Sequence, residues 1–207
     1  TAQRPFIFMN AVGLHRDVET ILHEAGHAFH AFAKSRLPYR HQMQAPMEFN
    51  EVASMAMELF AAPYLSANGS GFYQPADAAR ARVQHLEEMV FFWPYMAVVD
   101  AFQHWAYTNP EQADQPAACD EQWAQLMRRF LPALDWRGLE DEQRTGWQRR
   151  LHIFRVPFYY VEYGLAAVGA AQVWHNALHD EQAALARYRA ALALCGTAAL
   201  PALFDTA

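Results

Sequence analysis

Between Asp17 and Phe32 the apolar residues Val18, Ile21, Leu22, Ala25, Ala28 and Phe29 recur at the spacing of one helix face. The same period governs most of the chain, which restricts it to a mainly α-helical fold. Helices are predicted from Asp17, a candidate cap, to "KSRLP", and from Pro46 through "MEFNEVASMAMELFAAPYL" to the break at "SANGSG". A third runs from "PADAAR" to "TNP" with Pro94 as a kink. Shorter helices are expected over Glu111–Arg129 and Glu140–Arg149, one opened by Pro157 and reaching Trp174, and a last one over Asp180–Leu194. Only "PFIFMN", short, aromatic and β-branched, reads as a strand, on an edge and near the N-terminus.

A chain of 207 residues with 53% apolar content can close one sizeable core, so a single domain is expected. The net charge of −6 is spread along the sequence, and no Lys/Arg run offers a footprint for nucleic acid or anionic lipid. The longest apolar run, "MVFFWPYMAVV", is eleven residues, whereas a membrane span needs about 20, so it reads as core. Cys119 and Cys195 lack CxxC spacing, which points away from a disulfide framework or thiolate metal site and fits a reducing, cytoplasmic setting. The first residues lack an initiator Met, and "PALFDTA" stops without a cap or polar tail; both ends read as cut.

The chemistry is concentrated in "VETILHEAGHAFHAF". On a helix His23 and His27 lie one turn apart on one face, where two imidazoles can meet one zinc ion at about 2.0–2.1 Å. Glu24 is rotated about 100° from His23, beside the metal, where it can hold a water molecule. That is the arrangement of metal-activated hydrolysis. A catalytic zinc takes three protein ligands and leaves a place open, so one more ligand is needed. His30 continues the histidine face but stands where a three-histidine pattern needs Gly. Glu48 sits in a first helical turn, where a carboxylate is favoured by the dipole alone. Glu51 and Glu58 lie seven apart, two turns on one face of an otherwise apolar sequence, and a buried acidic stripe needs a partner such as a metal. His175 and His179 repeat the four-residue spacing without a following Glu and read as helix surface. His85, His104 and the cluster Phe91, Phe92, Trp93 and Tyr95 read as core or rim.

"PFIFMN…GLHRDVETILHEAGHAFHAF", "EFNEVASMAMELF" and "HIFRVPFYYVEYGLAAVGAAQVW" resemble the catalytic region of the oligoendopeptidase F and thimet oligopeptidase family of zinc metallopeptidases. The likeness covers most of the chain and is weakest between about Ala67 and Arg149. It implies a zincin-like helical catalytic domain holding one zinc ion on His23, His27 and Glu51, with Glu24 as general base. It also implies that Glu58 supports a ligand histidine from outside. From a late segment it implies that His152, Tyr159 and Tyr163 bind the substrate carbonyl and its oxyanion, a task that suits phenol hydroxyls. A helix opened at Pro157 would put Tyr159 and Tyr163 on one face and Tyr160 off it. The chain carries one more residue between His152 and the tyrosines than the commoner family pattern.

Family members are several times longer and have an N-terminal helical half that walls a channel, so the chain reads as a catalytic-region fragment lacking that half and a C-terminal extension. The expected activity is hydrolysis of short peptides, with the "PFIFMN" strand pairing to the peptide backbone. The alternative is a truncated, non-catalytic module that binds zinc or peptide. The expected partners are short peptides, with neither nucleic acid nor membrane; the sequence leaves the oligomeric state open.

Overall fold

The computed structural model describes residues 4–69 and 71–207. Ten α-helices occur among the described residues: α1 His15–Lys34, α2 Met47–Ala61, α3 Pro75–Thr108, α4 Pro110–Ala113, α5 Pro116–Phe130, α6 Glu140–Thr145, α7 Leu151–Arg155, α8 Tyr160–His179, α9 Glu181–Leu194 and α10 Leu200–Thr206. The fold is mainly α, as the sequence period requires. Residues 5–10 belong to no strand: their exposure alternates, with Phe6 at 85% and Phe8 at 86% while Ile7 and Met9 are half-buried, but no ladder partner exists among the described residues. Period-two patterning without a partner does not make a sheet. The one β-bridge among the described residues joins Ser66 to Tyr73.

The chain divides into two compact units, one made of residues 1–85 with Leu165–Ala207 and the other of Leu86–Gly164. The first is built on α1 and α2. Asp17 does not cap α1 but sits at its third position, where its carboxylate accepts the N–H groups of Leu14 at 2.8 Å and Val12 at 2.9 Å. These bonds satisfy donors ahead of the first turn, which lets the helix start earlier than the apolar pattern suggests, and they hold the Asp17 carboxyl below its usual range. On α2, Phe49, Val52, Ala53, Ala56 and Leu59 are buried. Tyr188 of α9 donates its hydroxyl to the Ala53 carbonyl at 2.6 Å. Phe204 of α10 meets the Phe49 ring edge-on at 6.0 Å. The Asp180 carboxylate caps α9 by accepting the Ala183 N–H at 3.0 Å. The short α10 has no counterpart among the predicted helices: "LPALFDT" is about two turns, too brief for a periodic signal, and Leu203 anchors it in the core.

In the second unit Val98, Val99 and Phe102 of α3 pack with Cys119, Trp123, Leu126 and Met127 of α5. Trp123 is 1% exposed and meets Phe102 edge-on at 5.3 Å. Pro157 does not open α8, which begins at Tyr160. Phe158 takes φ 64°, a left-handed conformation uncommon for a bulky residue, and it interrupts the helical path. The fully buried Gln103 side chain accepts the Phe158 N–H at 2.8 Å, and the Phe158 ring lies against His104 and Tyr107. These contacts override the N-terminal preference of the proline.

Candidate metal centre

His15, Glu19, His23 and His27 follow one another at four-residue intervals along α1 and so share a stripe that drifts slowly around the helix. From α2, Glu51 and Glu58 face this stripe. His23 Nε2 lies 3.3 Å from Glu51 Oε2 and His27 Nε2 lies 3.8 Å from the same oxygen. Ligand atoms of His23, His27 and Glu51 all lie within 4.8 Å of one another, the one such group among the described residues. His30 and Glu48, the other third-ligand candidates on these helices, are outside it. His30 turns into the core, 2% exposed, with its ring edge-on to Phe49 at 6.4 Å.

Glu51 is 6% exposed, and a carboxylate so enclosed needs polar partners. Ser54 donates its hydroxyl to Glu51 Oε2 at 3.0 Å. Burial alone would raise the Glu51 pKa; the His23 contact, the positive field of the histidines and the Ser54 bond overcome this and lower it. Burial likewise opposes charge on His23, but Glu51 and Glu58 outweigh it and raise its pKa to about 10. His27 goes the other way: burial lowers it more than Glu51 restores it. Two imidazoles and one ionised carboxylate are a donor set suited to zinc, which would have to displace the proton that Glu51 favours on His23 Nε2.

Glu58 Oε1 stands 2.6 Å from His23 Nδ1. An acceptor there assigns the proton to Nδ1 and leaves Nε2, on the Glu51 side, as the ligand atom. Glu24, one residue after His23, is half-buried, and its charge acts on His27. His85, read from sequence as a core or rim residue, has Nδ1 3.6 Å from Glu58 Oε2 and 3.6 Å from Glu19 Oε1. Glu19 and His15 carry no motif of their own in the sequence, although the four-residue stripe upstream of His23 contains them.

In the second unit the His152 ring gathers three tyrosines, with centroids at 6.2 Å to Tyr159, 5.1 Å to Tyr160 and 5.8 Å to Tyr163. Tyr159 and Tyr163 are in mutual edge contact at 5.5 Å, and both are half-buried. Tyr160 is 8% exposed and packs on Phe92 and Tyr95. Burial, with the nearby Arg150 charge, lowers the His152 pKa and favours a neutral imidazole. In the first unit the His175 and His179 ring centroids lie 4.9 Å apart, and no third ligand among the described residues converges on them.

The family model of peptidase family M3 matches residues 1–207. The chain belongs to peptidase family M3. Several solved structures resemble this M3 chain. A PZ peptidase A with an inhibitor is 31% identical over 98% of the chain, with a TM-score of 0.88 and 35% of its own length covered. A protein provisionally named oligoendopeptidase F is 34% identical over 99% of the chain, with a TM-score of 0.88 and 35% of its own length covered. Another with that provisional name, from Bacillus anthracis str. Ames, is 28% identical over 99% of the chain, with a TM-score of 0.80 and 32% covered. The M3 chain thus spans about a third of the length of the solved structures it matches. Among curated protein sequences none matches. No helix among the described residues is long and apolar enough to cross a membrane.

Proposed function

We propose that this M3 chain is the catalytic region of a zinc-dependent oligopeptidase of the oligoendopeptidase type, with the ion held by His23, His27 and Glu51. The observation that carries the reading is the convergence of ligand atoms of those three side chains within 4.8 Å, with Glu24 following His23 in α1. When bound, zinc would polarise water and the scissile carbonyl. Glu24 takes the proton of the attacking water and returns it to the leaving amine. His152, Tyr159 and Tyr163 are assigned to the carbonyl oxygen as its negative charge develops, which neutral phenol and imidazole donors stabilise without a full charge of their own. The segment at residues 5–10, which has no ladder partner among the described residues and leaves Phe6 and Phe8 exposed, is the candidate edge for an extended peptide. Cys119 and Cys195 are buried free thiols, which suits a reducing cytoplasmic compartment.

Metal analysis and cleavage of a quenched fluorescent peptide test this reading together. The expected result is one zinc per chain and chelator-sensitive cleavage. Absence of metal uptake overturns it. Zinc uptake without turnover favours the alternative of a binding module.

A further inference from the structure

The reading of His23 as a metal ligand leaves a second set of polar side chains unaccounted for, upstream on the same stripe of α1. Glu58, which accepts from His23 Nδ1 through Oε1, directs its other oxygen toward His85 Nδ1 at 3.6 Å. The same His85 nitrogen lies 3.6 Å from Glu19 Oε1, so one imidazole edge stands between a carboxylate of α1 and a carboxylate of α2. Glu19 Oε1 in turn lies 3.3 Å from His15 Nε2, and His15 Nδ1 shares a 2.7 Å hydrogen bond with the Tyr73 hydroxyl. The result is a continuous polar line: Tyr73, His15, Glu19, His85, Glu58, His23.

We propose that His85, steadied by Glu19, is a positioning residue for the metal ligand His23 and acts through Glu58. This rests on the assignment of His23 as a ligand. Glu58 can hold the His23 ring only in the direction its own carboxylate plane allows. That plane is fixed when both oxygens have partners and is free to turn when one has none. His85 supplies the second partner, and Glu19 keeps His85 from turning away. The 3.6 Å separations exceed hydrogen-bond length, so the interaction is electrostatic. It operates in a partly enclosed place: side-chain exposures are 18% for His85, 17% for Glu19 and 15% for Glu58. A small cleft beside them is walled on one side by Leu22, Ala62, Leu65 and Ala81, whose apolar surface strengthens such interactions, and the exposed Arg82 also lines it.

The cluster is a line and not a cage. His15, Glu19, His85 and Glu58 touch in succession, whereas ligand atoms that all lie within 4.8 Å of one another occur among the described residues only in His23, His27 and Glu51. A second resident ion is therefore not the reading, and orientation of the first is.

The test is made on the whole 207-residue chain with His85→Phe, His85→Asn and Glu19→Gln. Phe keeps a ring of similar size without nitrogen; Asn places an amide N–H near the position of Nδ1. Zinc affinity is read by chelator competition, and the His23 Nδ1 proton is read by imidazole NMR in the zinc-loaded chain. Outer partners of ligand histidines are worth about 10- to 100-fold in metal affinity, so for a residue one step further out His85→Phe is expected near the lower end, about tenfold. The His23 Nδ1 proton signal should broaden in His85→Phe and stay sharp in His85→Asn, whose affinity should lie close to wild type. Glu19→Gln should weaken binding in the same direction by less, and it carries the test should His85→Phe fail to fold. His85→Phe with wild-type affinity and an unchanged Nδ1 signal overturns the proposal while leaving the ligand assignment intact. Failure of the wild-type chain to bind zinc overturns both. Two zinc ions per chain, one of them lost in Glu19→Gln, overturns the proposal in favour of a second metal site.

Discussion

Gly26 of α1 lies directly against Ala53 of α2: a Cβ at position 26 would fall 2.3 Å from the Ala53 carbonyl oxygen and 2.6 Å from the Ser54 Cα. Both obstacles are backbone, so nothing there can swing aside. This close approach lets the histidines of one helix reach the glutamate of the other. Gly26→Ala forces the helices apart and should destabilise the chain by about 1–3 kcal/mol, the usual cost of overpacking. It should also weaken zinc binding. Denaturant melts and a zinc titration check both; an unchanged affinity would mean that α1–α2 spacing does not set the ligand geometry.

Glu24→Gln separates the proposed proton carrier from the proposed ligands. The amide is isosteric and is not required for coordination, so zinc content should stay at wild-type level. Peptide cleavage should fall by about 10²–10⁴-fold, the usual contribution of a general base. Parallel metal analysis and fluorogenic assays suffice. Loss of zinc in this variant would place Glu24 among the ligands or the supports of the fold.

His30 makes stability depend on pH in acid. Burial, followed by the charges of Lys34 and His27, lowers its pKa from 6.5 to about 4, and its buried Nε2 has no hydrogen-bond partner among the described residues. Between those values the unfolded chain binds the proton and the folded chain does not, so stability falls as pH drops from about 6.5 to about 4 and then levels. The interval of roughly 2.5 pH units corresponds to about 3 kcal/mol for this group. Urea melts of wild type and His30→Phe across that window, with chelator present, isolate it by difference. Parallel curves for the two proteins would remove His30 as the cause.

The convergence of the candidate metal ligands was legible because its parts are local. His23 and His27 are one turn apart, Glu51 and Glu58 two turns apart, and each pair lies within one helix whose apolar period is strong. His85 was opaque for the opposite reason: it meets Glu58 and Glu19 only through tertiary packing, and nothing in the surrounding "RVQHLEEM" marks it. The start of α8 was misjudged because Pro157 carries a local preference and Gln103, far away in sequence, carries the contact that defeats it. Residues 5–10 kept the exposure pattern of a strand but not the pairing, which depends on a partner outside the segment.

The later start of α8 changes the grounds on which the three tyrosines are distinguished. Tyr159 precedes the helix and Tyr160 is its first residue, so a shared helical face no longer separates them; burial does. Tyr160 is 8% exposed among Phe92 and Tyr95, whereas Tyr159 and Tyr163 are half-buried around His152. If the hydroxyls of Tyr159 and Tyr163 meet the developing oxyanion, they touch charge present mainly in the transition state. Tyr159→Phe or Tyr163→Phe should then lower kcat by about 10²–10³-fold, the cost of one oxyanion donor, with little change in KM. Each variant keeps the ring that packs on His152, so its melting temperature should stay near wild type. Tyr160→Phe retains its aromatic neighbours and should leave turnover within a few-fold of wild type. Steady-state rates for the three variants, in an active preparation, decide the matter. A crippled Tyr160→Phe beside two near-normal variants would transfer the oxyanion role to the buried tyrosine, and three near-normal variants would leave His152 as its remaining holder.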